Sequence, residues 1–131
     1  SGVSSATGSG GVSSATGIYG ASSATGDYGV SSATGDSGVS SATGSGGVSS
    51  ATGIYGASSA DNSTAVAVAW GYESKAKGCI GAHIVCAEWK YDNLNNDWVF
   101  VGAKMSIVDG VKIKADTYYT LRDGEFVEVE E

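Results

Sequence analysis

Residues 1–62 alternate small apolar and small polar side chains with a period of two, in bursts that restart at a strict nine-residue interval. Ser-Ser-Ala-Thr-Gly begins at Ser4, Ser13, Ser22, Ser31, Ser40 and Ser49, and a seventh copy starts at Ser58 and breaks off at Asp61. A fixed short period marks one structural unit stacked on itself, and alternation of period two reads as a short strand. In one unit Val12, Ser14 and Thr16 share a face, and Ser13, Ala15 and Gly17 share the other. The slot before Ser-Ser is always Val or Ala, whereas the two residues between units vary: Ser9-Gly10, Ile18-Tyr19, Asp27-Tyr28, Asp36-Ser37, Ser45-Gly46 and Ile54-Tyr55. Fixed strand positions and tolerant turn positions are the grammar of a solenoid. A disordered Gly/Ser linker shares the composition but has no need of register. Gly17 and Gly20 flank a variable pair and are expected to supply positive φ at the corners. A single unit is too short to circle a core, so two units make the predicted coil. Ile18-Tyr19 returns as Ile54-Tyr55, two such coils later.

Beyond residue 78 the pattern changes. Val99, Val101, Ala103, Met105 and Ile107 alternate with Phe100, Gly102, Lys104 and Ser106, which predicts a half-buried strand. Asp109-Gly110 is a two-residue hairpin signal leading to a second strand over Val111, Ile113 and Ala115. Thr117 to Leu121 and Glu125 to Val129 flank Arg122-Asp123-Gly124, another turn signal. An earlier strand from about Cys79 to Lys90 joins Trp98 through the polar loop Tyr91 to Asp97. No segment has a helical period. The predicted fold is all-β: a repetitive β-solenoid of nine-residue units over residues 1–78, then a small antiparallel β module over 79–131. That module would cap a solenoid end that otherwise exposes unpaired strand edges.

Composition sharpens this division. Residues 1–62 hold only Asp27, Asp36 and Asp61 among charged side chains, while all 7 basic residues and the other acids lie beyond. The net charge of -7 does not suit a phosphate backbone, so nucleic acid is not an expected partner. No apolar run is long enough to span a membrane as a helix. The chain opens in mid-repeat at Ser1-Gly2-Val3, as a piece of a longer protein would. Cys79 and Cys86 have no zinc spacing, and on one strand they lie too far apart to bridge. They read as small buried hydrophobes, and a metal site with His83 is the weaker alternative. A lone thin coil of Ser, Ala and Thr buries little apolar area against its chain entropy. Three chains sharing a core would relieve this, so a homotrimer is the expected assembly.

The stretch Ala67-Val68-Ala69-Trp70-Gly71-Tyr72-Glu73-Ser74-Lys75-Ala76-Lys77-Gly78 resembles the head repeats of trimeric autotransporter adhesins, which use small-x-Ala-x-Gly-x-x-Ser-x-Ala-x-Gly. Those heads are trimeric left-handed parallel β-rolls, and similar repeats occur in tail-fibre-like proteins of phages and prophages. The array with its β-rich tail also looks like proteins of gut bacteria and their phages. The resemblance covers about residues 1–78. It departs in its spacing of nine rather than about seven. It would also turn Ser5 and Thr7 inward, where the adhesin heads have large aliphatics, with bulk restored only at Val66, Val68 and Trp70. Because the repeat encodes shape, the resemblance carries no site residues.

The corner residues Tyr19, Tyr28 and Tyr55 are candidates for stacking on sugar rings. Within the loop Tyr91 to Asp97, the residues Tyr91, Asp92, Asn93, Asn95 and Asn96 are candidates for recognition, because the loop is long, polar and tip-like. The column Thr7, Thr16, Thr25, Thr34, Thr43, Thr52, with Ser two residues earlier, has the regular hydroxyl ranks of an ice-binding solenoid. Calcium-binding nonapeptide rolls need an Asp that no unit supplies. No nucleophile has a base in reach, His83 is the single histidine, and the acids Glu125, Glu128, Glu130 and Glu131 read as a solvated edge; a glycosidase needs two positioned carboxylates. No catalytic residue, metal or cofactor is therefore expected. The expected role is the shaft and tip of a phage tail fibre or bacterial surface adhesin. It would be extracellular and attach multivalently to a cell-surface receptor or glycan. The alternatives are an ice-binding solenoid, a polysaccharide-cleaving fibre, or a spacer within a longer protein.

Overall fold

A computed structural model describes residues 2–130; Ser1, where the repeat opens, and Glu131, the last of the acidic tail, lie outside the described residues. The described chain is all β and turn. Nine four-residue strands come first: β1 Val3–Ala6, β2 Val12–Ala15, β3 Ala21–Ala24, β4 Val30–Ala33, β5 Val39–Ala42, β6 Val48–Ala51, β7 Ala57–Ala60, β8 Val66–Ala69 and β9 Lys75–Gly78. Then follow β10 His83–Asp92, β11 Asp97–Ile107, β12 Tyr119–Arg122 and β13 Glu125–Glu128. Odd and even strands sort into two sheets, ordered β1-β3-β5-β7-β9-β12-β13 and β11-β10-β8-β6-β4-β2. Within the array each strand pairs in parallel with the next but one in sequence, as Val3 with Ala21 and Val12 with Val30. The coil is thus two repeat units, and the stack has roughly five turns.

The first serine and the alanine of each unit point inward. Ser13, Ser22, Ser31, Ser40, Ser49 and Ser58 are buried, as are Ala15, Ala24, Ala33, Ala42, Ala51 and Ala60. Their hydroxyls form one chain that crosses from sheet to sheet, with Oγ to Oγ distances of 2.8 to 3.0 Å from Ser4 through Ser13, Ser22, Ser31, Ser40 and Ser49 to Ser58. A hydroxyl can donate one bond and accept another, so each interior serine satisfies its neighbours without water. The two sheets approach too closely for larger side chains, and Ser and Ala are what fits. The interior hydroxyls are therefore satisfied within one chain.

This corrects the inward face implied by the adhesin resemblance. Ser5 and Thr7 are exposed, and Val66, Val68 and Trp70 lie on the outer surface, half-buried or exposed. The serine column passes instead into alanine and then isoleucine: Ser49 pairs with Ala67, Ser58 with Ala76 and Ala67 with Ile84. Past this switch the interior widens into an apolar core of Ala67, Ala76, Ile84, Cys86, Val108, Ile113, Tyr119 and Leu121.

The corners differ from expectation too. Positive φ falls on the second variable residue, at Tyr19 (61°), Tyr28 (58°), Ser37 (58°) and Tyr55 (60°), rather than on the flanking glycines. Those glycines are required by proximity. A Cβ on Gly35 would stand 2.2 Å from the Gly17 carbonyl oxygen of the coil below, and one on Gly20 would stand 3.1 Å from the Ala15 Cβ.

The solenoid register continues past residue 78, because His83 to Cys86 of β10 stack in parallel on β8. β10 then runs on beyond the coil and folds back as an antiparallel hairpin with β11. On the other sheet β12 meets β9 at Tyr119 and Ala76 and pairs antiparallel with β13 through the expected Arg122 to Gly124 turn. The expected hairpin at Asp109-Gly110 does not form. Asp109 Oδ1 instead accepts the N–H groups of Val111, Lys112 and Ile113 at 2.8, 3.0 and 3.1 Å, and the segment coils over the end of the core, burying Val108 and Ile113. The strand expected to be half-buried, β11, has Val99, Val101, Met105 and Ile107 exposed, and it forms the edge of its sheet. The C-terminal module thus closes the core and leaves two strand edges, β11 and β13.

Candidate binding surface

The outer face of the even-stranded sheet changes character along the stack. Its early coils present Val12-Ser14-Thr16, Val30-Ser32-Thr34 and Val48-Ser50-Thr52. The same ranks then become Val66-Val68-Trp70, and β10 adds His83, Val85, Ala87, Trp89 and Tyr91 by strict alternation. β11 continues the surface with Ile107, Met105 and Ala103. A bulge opposite Glu88 and Trp89 shifts its phase by one residue, so Phe100 is paired with Trp89 and Trp98 with Tyr91. The bulge is what brings aromatic residues of both strands onto one face.

The rings touch in sequence. Tyr55 meets Tyr72 edge-on at 6.0 Å, Tyr72 stacks on Trp98 at 4.0 Å and 14°, and Trp98 meets Tyr91 edge-on at 5.4 Å. Beside them Trp70 stacks on Phe100 at 5.2 Å, and Trp89 meets Phe100 edge-on at 5.3 Å. Trp89 is held in place by its indole N–H, which donates to the Trp70 carbonyl at 2.7 Å. The strip stays open to solvent: Trp70 is 39% exposed, Phe100 43% and Tyr55 59%. Offset and edge-to-face rings at these separations fix one another and present flat apolar surface with polar rims.

A second clamp fixes the platform from beneath. Glu88 is buried, and its two carboxylate oxygens accept the N–H groups of Asp123 and Gly124 at 2.8 and 2.9 Å. Lys104 Nζ donates to the Gly124 carbonyl at 2.6 Å. The hairpin carrying the aromatics is thereby bonded to the β12–β13 turn of the opposite sheet.

The structure divides the sequence-predicted site residues. Tyr55 and Tyr91 join the strip. Tyr19 lies on the same row of corners as Tyr55, two coils away, and is exposed. Tyr28 lies on the other row, its ring against Gly46. The loop is shorter than expected, since β10 reaches Asp92 and β11 begins at Asp97. Its polar groups are turned on one another: Asp92 accepts the Leu94 N–H at 2.9 Å and the Asn95 side-chain amide at 2.7 Å, and Tyr91 Oη reaches Asn96 Oδ1 at 3.4 Å. The Leu94 N–H and then the Asn95 amide hold the Asp92 carboxyl below its ordinary range. Asn93 is exposed, and the tip side chain is Leu94, 94% exposed.

Trp70, Tyr72, Trp89, Trp98 and Phe100 lie outside the site residues expected from the sequence. A signal was present: Trp89-x-Tyr91 and Trp98-x-Phe100 flank a short turn, which puts the four on facing strands, where cross-strand aromatic pairs form.

Elsewhere the ligands are sparse. Among the described residues no three His, Cys, Asp or Glu side chains come together as metal ligands. His83 is half-buried on the outer face of β10. On the odd-stranded face a groove of about 500 Å³ is lined by Ser41, Thr43, Ser59, Asp61, Lys77 and Asp116, with Lys77 paired to Asp116 at 3.1 Å. The cysteines are free thiols, Cys79 half-buried and Cys86 buried. Among the described residues no helix is long and apolar enough to cross a membrane. No protein-family model, curated protein or solved structure matches the chain.

Proposed function

We propose that this chain is a structural and binding protein: a rigid β-solenoid shaft whose aromatic strip attaches it to a carbohydrate at a cell surface, in the setting of a phage tail fibre or bacterial adhesin. One observation carries the reading. The chain's outer face replaces its Ser and Thr ranks with an exposed, mutually braced row of aromatic rings at one end. The apolar faces of sugar rings stack on such surfaces, and the polar rims of Tyr and Trp supply hydrogen bonds. A single shallow platform binds weakly, so attachment at useful strength needs several copies of the platform acting together. The setting is extracellular.

The test is binding of the whole chain to an array of bacterial surface polysaccharides, with the W70A and F100A variants alongside. Retained glycans that both variants lose, with unchanged far-UV spectra, support the reading. Glycan binding that neither variant weakens, or no glycan binding at all, overturns it.

A second reading has its own observation. Thr16, Thr34 and Thr52 stand exposed on one flat face and Thr7, Thr25 and Thr43 on the other, each rank repeating at the strand spacing of about 4.8 Å. Regular hydroxyl ranks on a flat face are suited to ordering water at an ice surface. Thermal hysteresis abolished by T34Y would establish that reading, and its absence would remove it.

A further inference from the structure

Two strand edges are left open at the C-terminal end of the stack, and they are built differently. β13 carries Glu125 and Glu128, so a copy approaching it meets like charge. β11 carries only Lys104 and the terminal Asp97 as charges along its length, has no proline, and exposes Val99, Phe100, Val101, Met105 and Ile107. Among the described residues no backbone group outside β10 pairs along β11. An apolar, nearly uncharged strand edge of this length is a template for another strand.

We propose that β11 pairs with β11 of a second copy of this chain, antiparallel across a two-fold axis at Met105. The regular stretch C-terminal to the bulge is self-complementary in that register. Ala103 of one copy faces Ile107 of the other, and Met105 faces its own counterpart, so the apolar outer faces merge. On the opposite face Lys104 meets Ser106, and no like charges are opposed. The two six-stranded sheets become one continuous sheet. Pairing at the edge leaves the faces free, so the two aromatic strips lie on one surface, which supplies the multivalency of attachment by a two-fold in place of the three-fold symmetry expected from the sequence. The acidic β13 edges resist the same approach by charge repulsion. Each copy carries a net charge of -7, so two copies repel as they approach and added salt, which screens this repulsion, favours the pair. The inference does not depend on what the aromatic strip binds.

The experiment is sedimentation velocity on the whole chain and on M105K, at low and high salt, with far-UV spectra of both. Met105 is 65% exposed, so the lysine leaves the fold intact while placing a charge against its own copy on the axis. The expected result is a mass of two chains for the unmodified protein, favoured by salt, a shift of at least tenfold toward the single chain in M105K, and superimposable spectra. Hydrogen exchange of the unmodified protein should slow at residues 103–107 as concentration rises. A single-chain mass throughout, a three-chain mass, or a dimer that M105K does not weaken would each overturn the proposal. Should the lysine variant lose its β spectrum, the exchange measurement decides, and unprotected 103–107 amides at dimer concentrations overturn it.

Discussion

Tyr72 lies stacked on Trp98, ring centroids 4.0 Å apart with 14° between their planes. Tyr72 occupies a corner of the repeat array and Trp98 the second residue of β11, so this pair ties the long hairpin to the solenoid at the end that projects beyond the coils.

Removing the ring at position 98 should therefore loosen the hairpin more than the coils. Trp98→Ala loses stacking with Tyr72 and the edge contact with Tyr91, each worth ~0.5–1.5 kcal/mol beyond buried area. Denaturant unfolding is expected to show a loss of about 2–3 kcal/mol. Hydrogen exchange is expected to speed up first at residues 89–100, with the amides of β3 to β6 least affected. Uniform acceleration through the coils would contradict this.

The serine chain predicts an asymmetry between adjacent residues. Ser40→Ala breaks the hydroxyl chain and takes a partner from both Ser31 and Ser49. The cost is expected to be about 1–2 kcal/mol, since buried hydroxyls lose bonds that water cannot replace. Ser41→Ala, one residue on, faces outward and should stay within about 0.5 kcal/mol of the parent. Thermal or denaturant unfolding of the two variants side by side measures the difference.

That asymmetry also shows what the sequence could and could not reveal. The nine-residue period, the two-unit coil, the strand character of the repeats and the turn at Arg122 to Gly124 were legible, because each rests on local spacing. The inward face was not. Ser13 and Ser14 are identical in chemistry, and only the packing of one sheet on the other decides that one is buried in a hydroxyl chain and the other solvated. Asp109-Gly110 read as a hairpin because the dipeptide fits one, but tertiary demand won: Ile113 is needed over the core end, and Asp109 gathers three N–H groups to put it there. The aromatic strip needed the bulge opposite Glu88 and Trp89, which leaves no mark in the alternation.

Gly35 and Gly8 hold the same slot in their units and give a test with an internal control. A Cβ at Gly35 would come within 2.2 Å of the Gly17 oxygen and 2.6 Å of its carbon, which are backbone atoms and cannot swing away. Gly8 has nothing within 4 Å of that point. Gly35→Ala is expected to cost about 1–3 kcal/mol or more by forcing two coils apart. Gly8→Ala should be near neutral or slightly stabilising through the unfolded chain. Equal effects would mean the coils are not stacked at this spacing.

Acid should loosen the two turns built on carboxylates. The Asp109 carboxyl is held below its usual value of 3.8, first by the Val111 N–H and then by those of Ile113 and Lys112, and Asp92 is lowered likewise by Leu94 and Asn95. A carboxyl with a depressed folded value contributes stability that is present above 3.8 and is lost as pH falls below it. Unfolding midpoints are expected to drop below pH 3.8, and Asp109→Asn should flatten that part of the profile while lowering the midpoint at neutral pH.

The alkaline limb should report on Cys86. Burial pushes its thiol up from 9.0 to about 12, only partly offset by a hydrogen bond with the Ala76 backbone. A thiol whose folded value is raised stays protonated while the unfolded chain ionises. Its contribution is intact below pH 9.0 and is lost as pH rises toward 12. The nucleophile is the thiolate, and Cys86 is both protonated and enclosed by the apolar core, whereas Cys79 is half-buried. Iodoacetamide at pH 8 is expected to label Cys79 alone in the native protein, with Cys86 reacting only in denaturant. Cys86→Ala should leave the neutral fold intact at a cost of about 1–2 kcal/mol for the small cavity and weaken the fall in stability above pH 9. Native labelling of Cys86 at the rate of Cys79 would mean that the core under β10 opens far more readily than its packing implies.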